Sequence, residues 1–435
     1  MKANKYVYVV PLDENHFVMF NGINRQFLVI NKKLIDSYVL ISKNPDGYID
    51  SHSKIVEILK QKGLVLDDDI DVHELLKCQR NDFVNALEYK LTIVPTYECN
   101  YNCWYCLQNH QPVKLSKEKL TLIVKHAKTY LLENGIKSFI LSWFGGEPLT
   151  QPNIINIISK EMQAFCYDRQ ISYIAAITTN GALLTQTVIH MLKEREVNYY
   201  QIAIDGDAIE HDKVKYDDEH ESSFALILNN IVNLLNANNK AEVTLRLNYT
   251  LKMLHSERLV SDINRFIPTR LRPRLSVDLQ KVWQIKEDTI PIEDLKRLQK
   301  ELVDSGYRLN TDHVFSICYV DKIHNNLVYY NGGVDKCDKR ELNNVRGYLD
   351  ENGHIVWNER PVFQDYDLFS DGCVCNKCLY YPLCYCDCPM NREERILKNG
   401  KVVCNYKNYY HIFAHRIQDY CWRTIYNKQI KDYKK

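Results

Sequence analysis

Apolar residues in the middle of the chain recur in two alternating rhythms. Short apolar runs at Leu91–Pro95, Phe139–Trp143, Ser172–Ile177, Tyr200–Ile204, Val243–Asn248 and Leu275–Leu279 read as strands. Between them, stretches near 117–133, 153–168, 185–195, 223–237, 256–266 and 292–304 read as amphipathic helices. Six such βα units predict a parallel sheet with right-handed crossovers. The fold class is therefore α/β, either a partial (β/α)6 TIM-like barrel or a doubly wound sheet. In both, the chemistry gathers at the C-terminal ends of the strands.

The flanking zones differ in texture. Residues 1–90 open with strand-like alternation in YVYVVPL and HFVMFNG. A helical stretch follows around Lys32–Ile41, and another in SKIVEILKQKG, with Gly63 as its C-cap before a short strand at Leu64–Leu66. This order suggests a small winged-helix-like module. Residues 306–435 lose the rhythm and are rich in Cys, Asn, Asp and Tyr. So little apolar periodicity calls for staples, which metal clusters would supply. Three domains are expected, at 1–90, 91–305 and 306–435.

Composition narrows the class. Of 435 residues, 45% are hydrophobic and 26% charged, as in an ordinary globular protein. A formal net charge of +1 offers no surplus for nucleic acid or an anionic membrane. The start, MKANKYVYVVPLDENHF, lacks a signal-like apolar core, and no apolar run reaches the roughly 18 residues of a membrane span. The expected compartment is the cytoplasm. The 15 cysteines stand out, with three within 99–106 and a dense group within 373–388. In a reducing compartment such groups read as metal ligands rather than disulfides.

The first group reads Tyr97-Glu98-Cys99-Asn100-Tyr101-Asn102-Cys103-Trp104-Tyr105-Cys106, a C-x3-C-x2-C spacing. Three thiolates on one loop can grip three corners of an iron–sulfur cubane, and a missing fourth leaves one iron open. Zinc is the alternative, though it usually takes a second paired knuckle. Placed after the first strand of a βα barrel, and with Tyr105 as the aromatic before the last cysteine, the motif resembles that of the radical S-adenosylmethionine (SAM) superfamily. The resemblance implies a 4Fe-4S cluster on Cys99, Cys103 and Cys106, with SAM on the open iron. Reductive cleavage of SAM would then yield a 5′-deoxyadenosyl radical that abstracts hydrogen from a substrate.

Later strand ends fit the same resemblance. Gly145-Gly146-Glu147-Pro148 follows the second strand and matches the family's GGEP motif. Thr178-Thr179-Asn180-Gly181 ends the third strand, Asp205-Gly206 the fourth, and Arg246 and Asn248 lie on the fifth. The resemblance implies that Tyr105, Gly145, Gly146, Glu147, Thr179, Asn180, Asp205, Arg246 and Asn248 approach SAM. Each polar residue among them can equally be a turn residue or a satisfied core group.

The C-terminal cysteines read C-x13-G-x4-C from Cys318 through Gly332 to Cys337, then C-x2-C-x5-C-x3-C at Cys375, Cys378, Cys384 and Cys388, then Cys404. This resembles the SPASM domain of peptide-modifying radical SAM enzymes. Structural zinc ribbons are the alternative. The resemblance implies two auxiliary 4Fe-4S clusters. Cys318, Cys337 and Cys388 would hold the first, and Cys375, Cys378, Cys384 and Cys404 the second. The first set lacks a fourth cysteine. Asp312, His313, Cys373 or Cys386 could complete it, or it could stay open. Cys78, Cys166 and Cys421 read as ordinary thiols.

Two enzyme readings compete. One is a maturase of ribosomally made peptides, installing a thioether, carbon–carbon or carbon–oxygen link on a precursor with a leader sequence. The other resembles the anaerobic sulfatase-maturating enzymes, whose proposed base corresponds to Asp338 after Cys337. Those enzymes place the cluster motif near the N-terminus, whereas here residues 1–90 precede it and resemble a leader-binding element. The peptide maturase is favoured, with Asp338 as candidate base and flavodoxin or ferredoxin as electron donor. A third reading is a non-catalytic, peptide-binding scaffold.

Overall fold

The computed structural model describes residues 1–435 except 217–218, 283, 286–291, 313, 339–344, 405–408 and 433–435. The candidate ligand His313 lies outside the described residues. Two compact units emerge. One comprises 1–86, 311–323 and 361–425, the other 87–310, 324–360 and 426–435.

The larger unit is built on an 11-stranded sheet. Its strands are β1 (Glu88–Val94), β2 (Ser138–Trp143), β3 (Ser172–Thr179), β4 (Val197–Ile204), β5 (Glu242–Tyr249), β6 (Leu275–Lys281), β7 (Arg308–Leu309), β8 (Asn325–Tyr329), β9 (Gly333–Asp335), β10 (Gly347–Leu349) and β11 (Ile355–Trp357). They lie side by side in the order β7-β6-β5-β4-β3-β2-β1-β8-β9-β10-β11. Pairing is parallel from β7 through β8, and antiparallel from β8 to β11. Two edges remain, so the sheet is open.

Helices Lys117–Glu133, Pro152–Asp168, Gln186–Glu194, Ser223–Ala237, Leu259–Phe266 and Ile292–Asp304 follow the first six strands in turn. These elements coincide with the expected ones to within a few residues. Their starts are chemically marked. The side chains of Ser116, Thr185 and Ser222 accept hydrogen bonds from Lys119, Val188 and Ala225 backbone N–H groups. Leu91, Ile93, Phe139, Leu141, Trp143, Ile177, Ile202, Ile204, Leu245 and Leu247 are fully buried between sheet and helices. These side chains are every second residue of their strands, and the residues between them are mostly only partly buried, so the strands are legible from one regularly repeating apolar face.

The other unit joins the two ends of the chain. Strands Val7–Pro11, His16–Asn21 and Phe27–Asn31 form an antiparallel sheet in that order. Helices Ile35–Lys43, Ile49–Gln61 and Val72–Val84 follow. Alternation along the middle strand divides its side chains between two cores. Met19 packs with Ile30, Ile41, Val56 and Leu59. Val18 and Phe20 pack with Phe315, Leu383, Phe413, Ile417 and Cys421.

The absence of rhythm expected over 306–435 needs correction. Helices Pro389–Asn399 and Tyr409–Asp432 are regular elements there. Phe413, Ile417 and Cys421, spaced by four, form the buried stripe of the longer helix. Tyr, Arg, Gln and His residues between them dilute that stripe below visibility in the sequence. Segment 324–360 contributes β8 to β11 to the large sheet. No helix among the described residues is long and apolar enough to cross a membrane.

A buried charge trio ties the smaller unit together. Asp321 accepts from Arg392 and, at 3.3 Å, from Arg80 Nη1. All three side chains are nearly inaccessible to solvent. Removing the shared carboxylate would strand two guanidinium groups away from water. Asp321→Ala is expected to cost about 3–5 kcal/mol of stability, measured by urea unfolding.

Candidate functional site at the strand ends

The loop that follows β1 is anchored at its base. Leu115 N donates to Pro95 O at 2.8 Å, and Thr96 Oγ1 to Val113 O at 2.5 Å. Cys99 and Cys103 are half-buried on this loop and Cys106 is exposed. Cys99 feels the charges of both other thiols, and Cys103 feels that of Cys106, so the three form one electrostatic group. Burial pushes the Cys99 thiol up to about 12 and also raises Cys103. Tyr101 N donates to Cys99 Sγ at 3.5 Å, and Cys106 Sγ lies 3.4 Å from His110 Nε2.

The glycine pair after β2 is required by this loop. A Cβ on Gly146 would sit 2.3 Å from Glu98 O and 2.6 Å from Tyr97 O. On Gly145, at φ +143, it would sit 2.6 Å from Thr96 O. The close approach expected from paired glycines therefore serves the cysteine loop's own backbone. Gly146 N donates to Thr96 O at 3.1 Å and Glu147 N to Glu98 O at 2.8 Å.

Glu147 is fully buried and joins three strand ends. Its Oε1 accepts from Leu149 N at 2.9 Å and Thr179 Oγ1 at 2.8 Å, and its Oε2 from Asn180 N at 2.7 Å. Burial outweighs these hydrogen bonds and raises its pKa to about 7. Asn180 Nδ2 then reaches Asn100 Oδ1 at 2.8 Å and lies 4.0 Å from Cys99 Sγ. β2, β3 and the cysteine loop thus share one polar knot.

A second knot ties the same loop to β4 and β5. Tyr105 Oη donates to Asp205 Oδ1 at 2.6 Å. Asn248 Nδ2 donates to Asp205 Oδ1 at 2.9 Å and to Tyr105 Oη at 3.1 Å, and Arg246 Nε donates to Asn248 Oδ1 at 3.0 Å. Asp205 is fully buried and pairs with Lys215. Burial alone would raise its pKa, but the Lys215 ammonium and the hydrogen bonds hold it below the usual range. Lys215 and His211, whose Nδ1 accepts from Asp205 N at 3.1 Å, were not legible in the sequence. Only the helix Ala208–Val214, capped by Asp207, hints that residues just beyond it turn back to the strand end.

Asp338 occupies another place in this unit. It lies 3.9 Å from Cys337 Sγ and, with Cys337, acts on the Tyr329 phenol. Tyr329 in turn stacks on Tyr97 of the cysteine loop, with ring centroids 6.2 Å apart. Tyr97 and Tyr329 were likewise absent from the expected site; Tyr329 ends a strand, where an aromatic reads as core.

In the smaller unit, Cys318 is acted on by Asp321, Cys388 and Arg392, whereas Asp312 acts on Tyr420. Cys378 feels Cys404 and Cys386, and Cys384 feels Cys386. Cys373 and Cys386 are buried. Cys78 is an exposed thiol, and Cys166 and Cys421 are buried in apolar cores.

Residues 93–252 match the Radical SAM superfamily. The chain carries a radical SAM domain. Individual relatives match only part of the chain. A radical SAM cyclopropyl synthase, TigE, from Paramaledivibacter caminithermalis is 26% identical over 45% of this chain and 47% of its own. An AdoMet-dependent heme synthase from Methanosarcina barkeri is 31% identical over 28% of this chain and 32% of its own. The matches thus span less than half of these curated relatives. Among solved structures, anSMEcpe with bound AdoMet and Cp18Cys peptide superposes with a TM-score of 0.56. It is 18% identical, over 78% of this chain and 99% of that one, a likeness of fold.

A radical SAM domain implies SAM and a 4Fe-4S cluster, and the donor set fits both. Among the described residues, no three Cys, His, Asp or Glu side chains meet at one point as a single metal ion requires. Three soft sulfurs grouped on one loop instead suit a larger inorganic group gripped at separate corners.

Glu147 supplies a pH signature for this radical SAM domain. Its folded pKa, near 7, exceeds the ordinary 4.5, so folding favours the neutral carboxyl. Below pH 4.5 both states are protonated and nothing is lost. As pH rises from 4.5 to 7, the unfolded chain releases this proton first, and stability falls. Glu147→Gln is expected to remove that part of the slope, read as urea-unfolding free energy across this window for variant and parent.

Proposed function

We propose that the protein is a radical SAM peptide maturase that installs a thioether, carbon–carbon or carbon–oxygen cross-link on a ribosomally made precursor. The observation that carries the radical chemistry is the seating of Cys99, Cys103 and Cys106 between two buried knots, Glu147 with β2 and β3 and Asp205 with β4 and β5. When bound, the cluster and SAM supply one-electron cleavage to a 5′-deoxyadenosyl radical able to take hydrogen from an unactivated carbon.

The chain's own residues do the rest. Cys99, Cys103 and Cys106 would hold the cluster as thiolates, and iron binding would offset the burial that disfavours the charged forms of Cys99 and Cys103. Tyr105, locked by Asp205 and Asn248, sets the orientation of the loop. Thr179, Asn180, Arg246 and Asn248, with the backbone of Gly145 and Gly146, line the strand ends that SAM would approach. Asp338, beside Cys337, would accept a proton as the substrate is oxidised. By the SPASM spacing, Cys318, Cys337 and Cys388, and Cys375, Cys378, Cys384 and Cys404, would hold auxiliary clusters that take up the electron.

The peptide substrate is supported by the N-terminal sheet. Phe27–Asn31 ends its three-stranded order and can accept an added strand from a leader. The fold neighbour anSMEcpe holds a peptide together with AdoMet. The formylglycine-forming reading keeps one point in its favour, the adjacency of Asp338 to Cys337. Residues 1–90 would be the recognition element and 306–435 the SPASM segment.

Anaerobically reconstituted protein with SAM and dithionite is expected to release 5′-deoxyadenosine, and Cys103→Ala to reduce release to background. No release from fully iron-loaded protein would leave only the scaffold reading. Co-expression with a short peptide encoded nearby, followed by fragmentation mass spectrometry, should locate a two-hydrogen loss between two residues. Asp338→Asn is expected to leave 5′-deoxyadenosine release unchanged while abolishing that product.

A further inference from the structure

The three thiols of the loop after β1 do not meet equal surroundings. Cys99 and Cys103 are half-buried, whereas Cys106 is exposed. A cluster held by all three would therefore meet water at its Cys106 corner. Hydrogen bonds to the sulfurs and solvent exposure both set the potential of such a cluster. Whatever stands beside Cys106 thus bears on how readily the cluster is reduced.

The chain places an imidazole there. Past Cys106 it runs Leu107-Gln108-Asn109-His110 and turns back on itself. Gln111 N donates to Tyr97 O at 3.3 Å, Val113 N donates to Gln111 O at 2.8 Å, and Thr96 bridges Lys114 in antiparallel fashion. The residue after His110 is thereby tied to the start of the same loop. His110 Nε2 lies 3.4 Å from Cys106 Sγ, and Gln108 N donates to the same sulfur at 3.5 Å. The segment is not helical, so residues four apart meet here through the loop's closure. His110 is half-buried between the exposed Asn109 and Gln111, so its side chain is the one drawn in.

A thiolate offers only lone pairs, so beside an iron-bound Cys106 the shared hydrogen sits on Nε2. We propose that His110 is a positioning residue of the SAM-site cluster, its Nε2–H donating to the Cys106 thiolate and making the cluster easier to reduce. This rests on the reading that Cys99, Cys103 and Cys106 hold that cluster. Reduction adds negative charge, and a donor aimed at a ligand sulfur stabilises the more negative form.

The test uses protein reconstituted anaerobically with iron and sulfide, then titrated with dithionite in the presence of redox mediators. The readout is the electron paramagnetic resonance of the reduced protein. The signal that a Cys99→Ala/Cys103→Ala/Cys106→Ala chain loses belongs to the SAM-site cluster. His110→Leu keeps bulk and donates nothing, whereas His110→Gln keeps an N–H near the position of Nε2. At a fixed potential, His110→Leu is expected to lower the ratio of reduced to oxidised cluster about three- to tenfold, a midpoint about 30–60 mV more negative for one electron. His110→Gln is expected to recover most of that shift. If His110→Leu loses the cluster's iron, retention of that iron in His110→Gln supports the same donor. An unchanged or less negative midpoint in His110→Leu, an equal shift in His110→Gln, or loss of the iron from both variants overturns the proposal. Parent protein with no signal beyond that of the triple variant defeats the cluster reading itself, and the inference with it.

Discussion

The turn after β2 and the loop after β1 share a space too small for any side chain. A Cβ on Gly146 would fall inside the contact distance of two carbonyl oxygens, Glu98 O and Tyr97 O. Everything at the strand ends depends on that contact. It fixes the height of the cysteine loop above the sheet, and it presents the Glu147 backbone N–H to Glu98 O at 2.8 Å. The Glu147 side chain then continues to Thr179 and Asn180 at the end of β3. One steric constraint thereby places three consecutive strand ends in register.

The two polar knots around the loop differ in electrostatic character. Glu147 has three donors and no cation, and burial prevails, so its carboxyl titrates near neutrality. Asp205 is equally buried but faces the Lys215 ammonium, which keeps it ionised. The side of the loop toward β3 therefore tolerates a neutral acid, while the side toward β4 and β5 holds a fixed ion pair. Tyr105 donates to the ion-paired carboxylate, which gives its ring a single orientation. A loop carrying three thiols that must become thiolates is thus held by groups that add little net negative charge to it.

The smaller unit meets a different problem. Its sequence is polar and cysteine-rich, yet it builds two apolar layers on the faces of one short antiparallel sheet. The N-terminal strands supply one side and the helix containing Phe413, Ile417 and Cys421 the other. The buried Asp321 with Arg80 and Arg392 joins segments far apart in the chain. Two of its charges are left uncompensated if the shared carboxylate is missing, which is why its loss is costly.

Legibility followed periodicity. Six of the eleven strands of the large sheet and the helices between them were readable, since each is apolar on a face that repeats at a fixed interval. Cys99, Cys103 and Cys106 were readable because thiols at that spacing on one loop have few other uses. By itself the sequence determined the βα repeat, the cysteine loop and its place after the first strand. Only the tertiary structure decided what surrounds that loop. Lys215, His211 and Tyr329 reach it from elements distant in sequence, and no local pattern marks them. The same holds for the long C-terminal helix, whose three buried residues gain meaning only against Val18 and Phe20. Spacing along a chain records what neighbours share, while burial, ion pairing and close backbone contact join residues whose separation in sequence carries no signal.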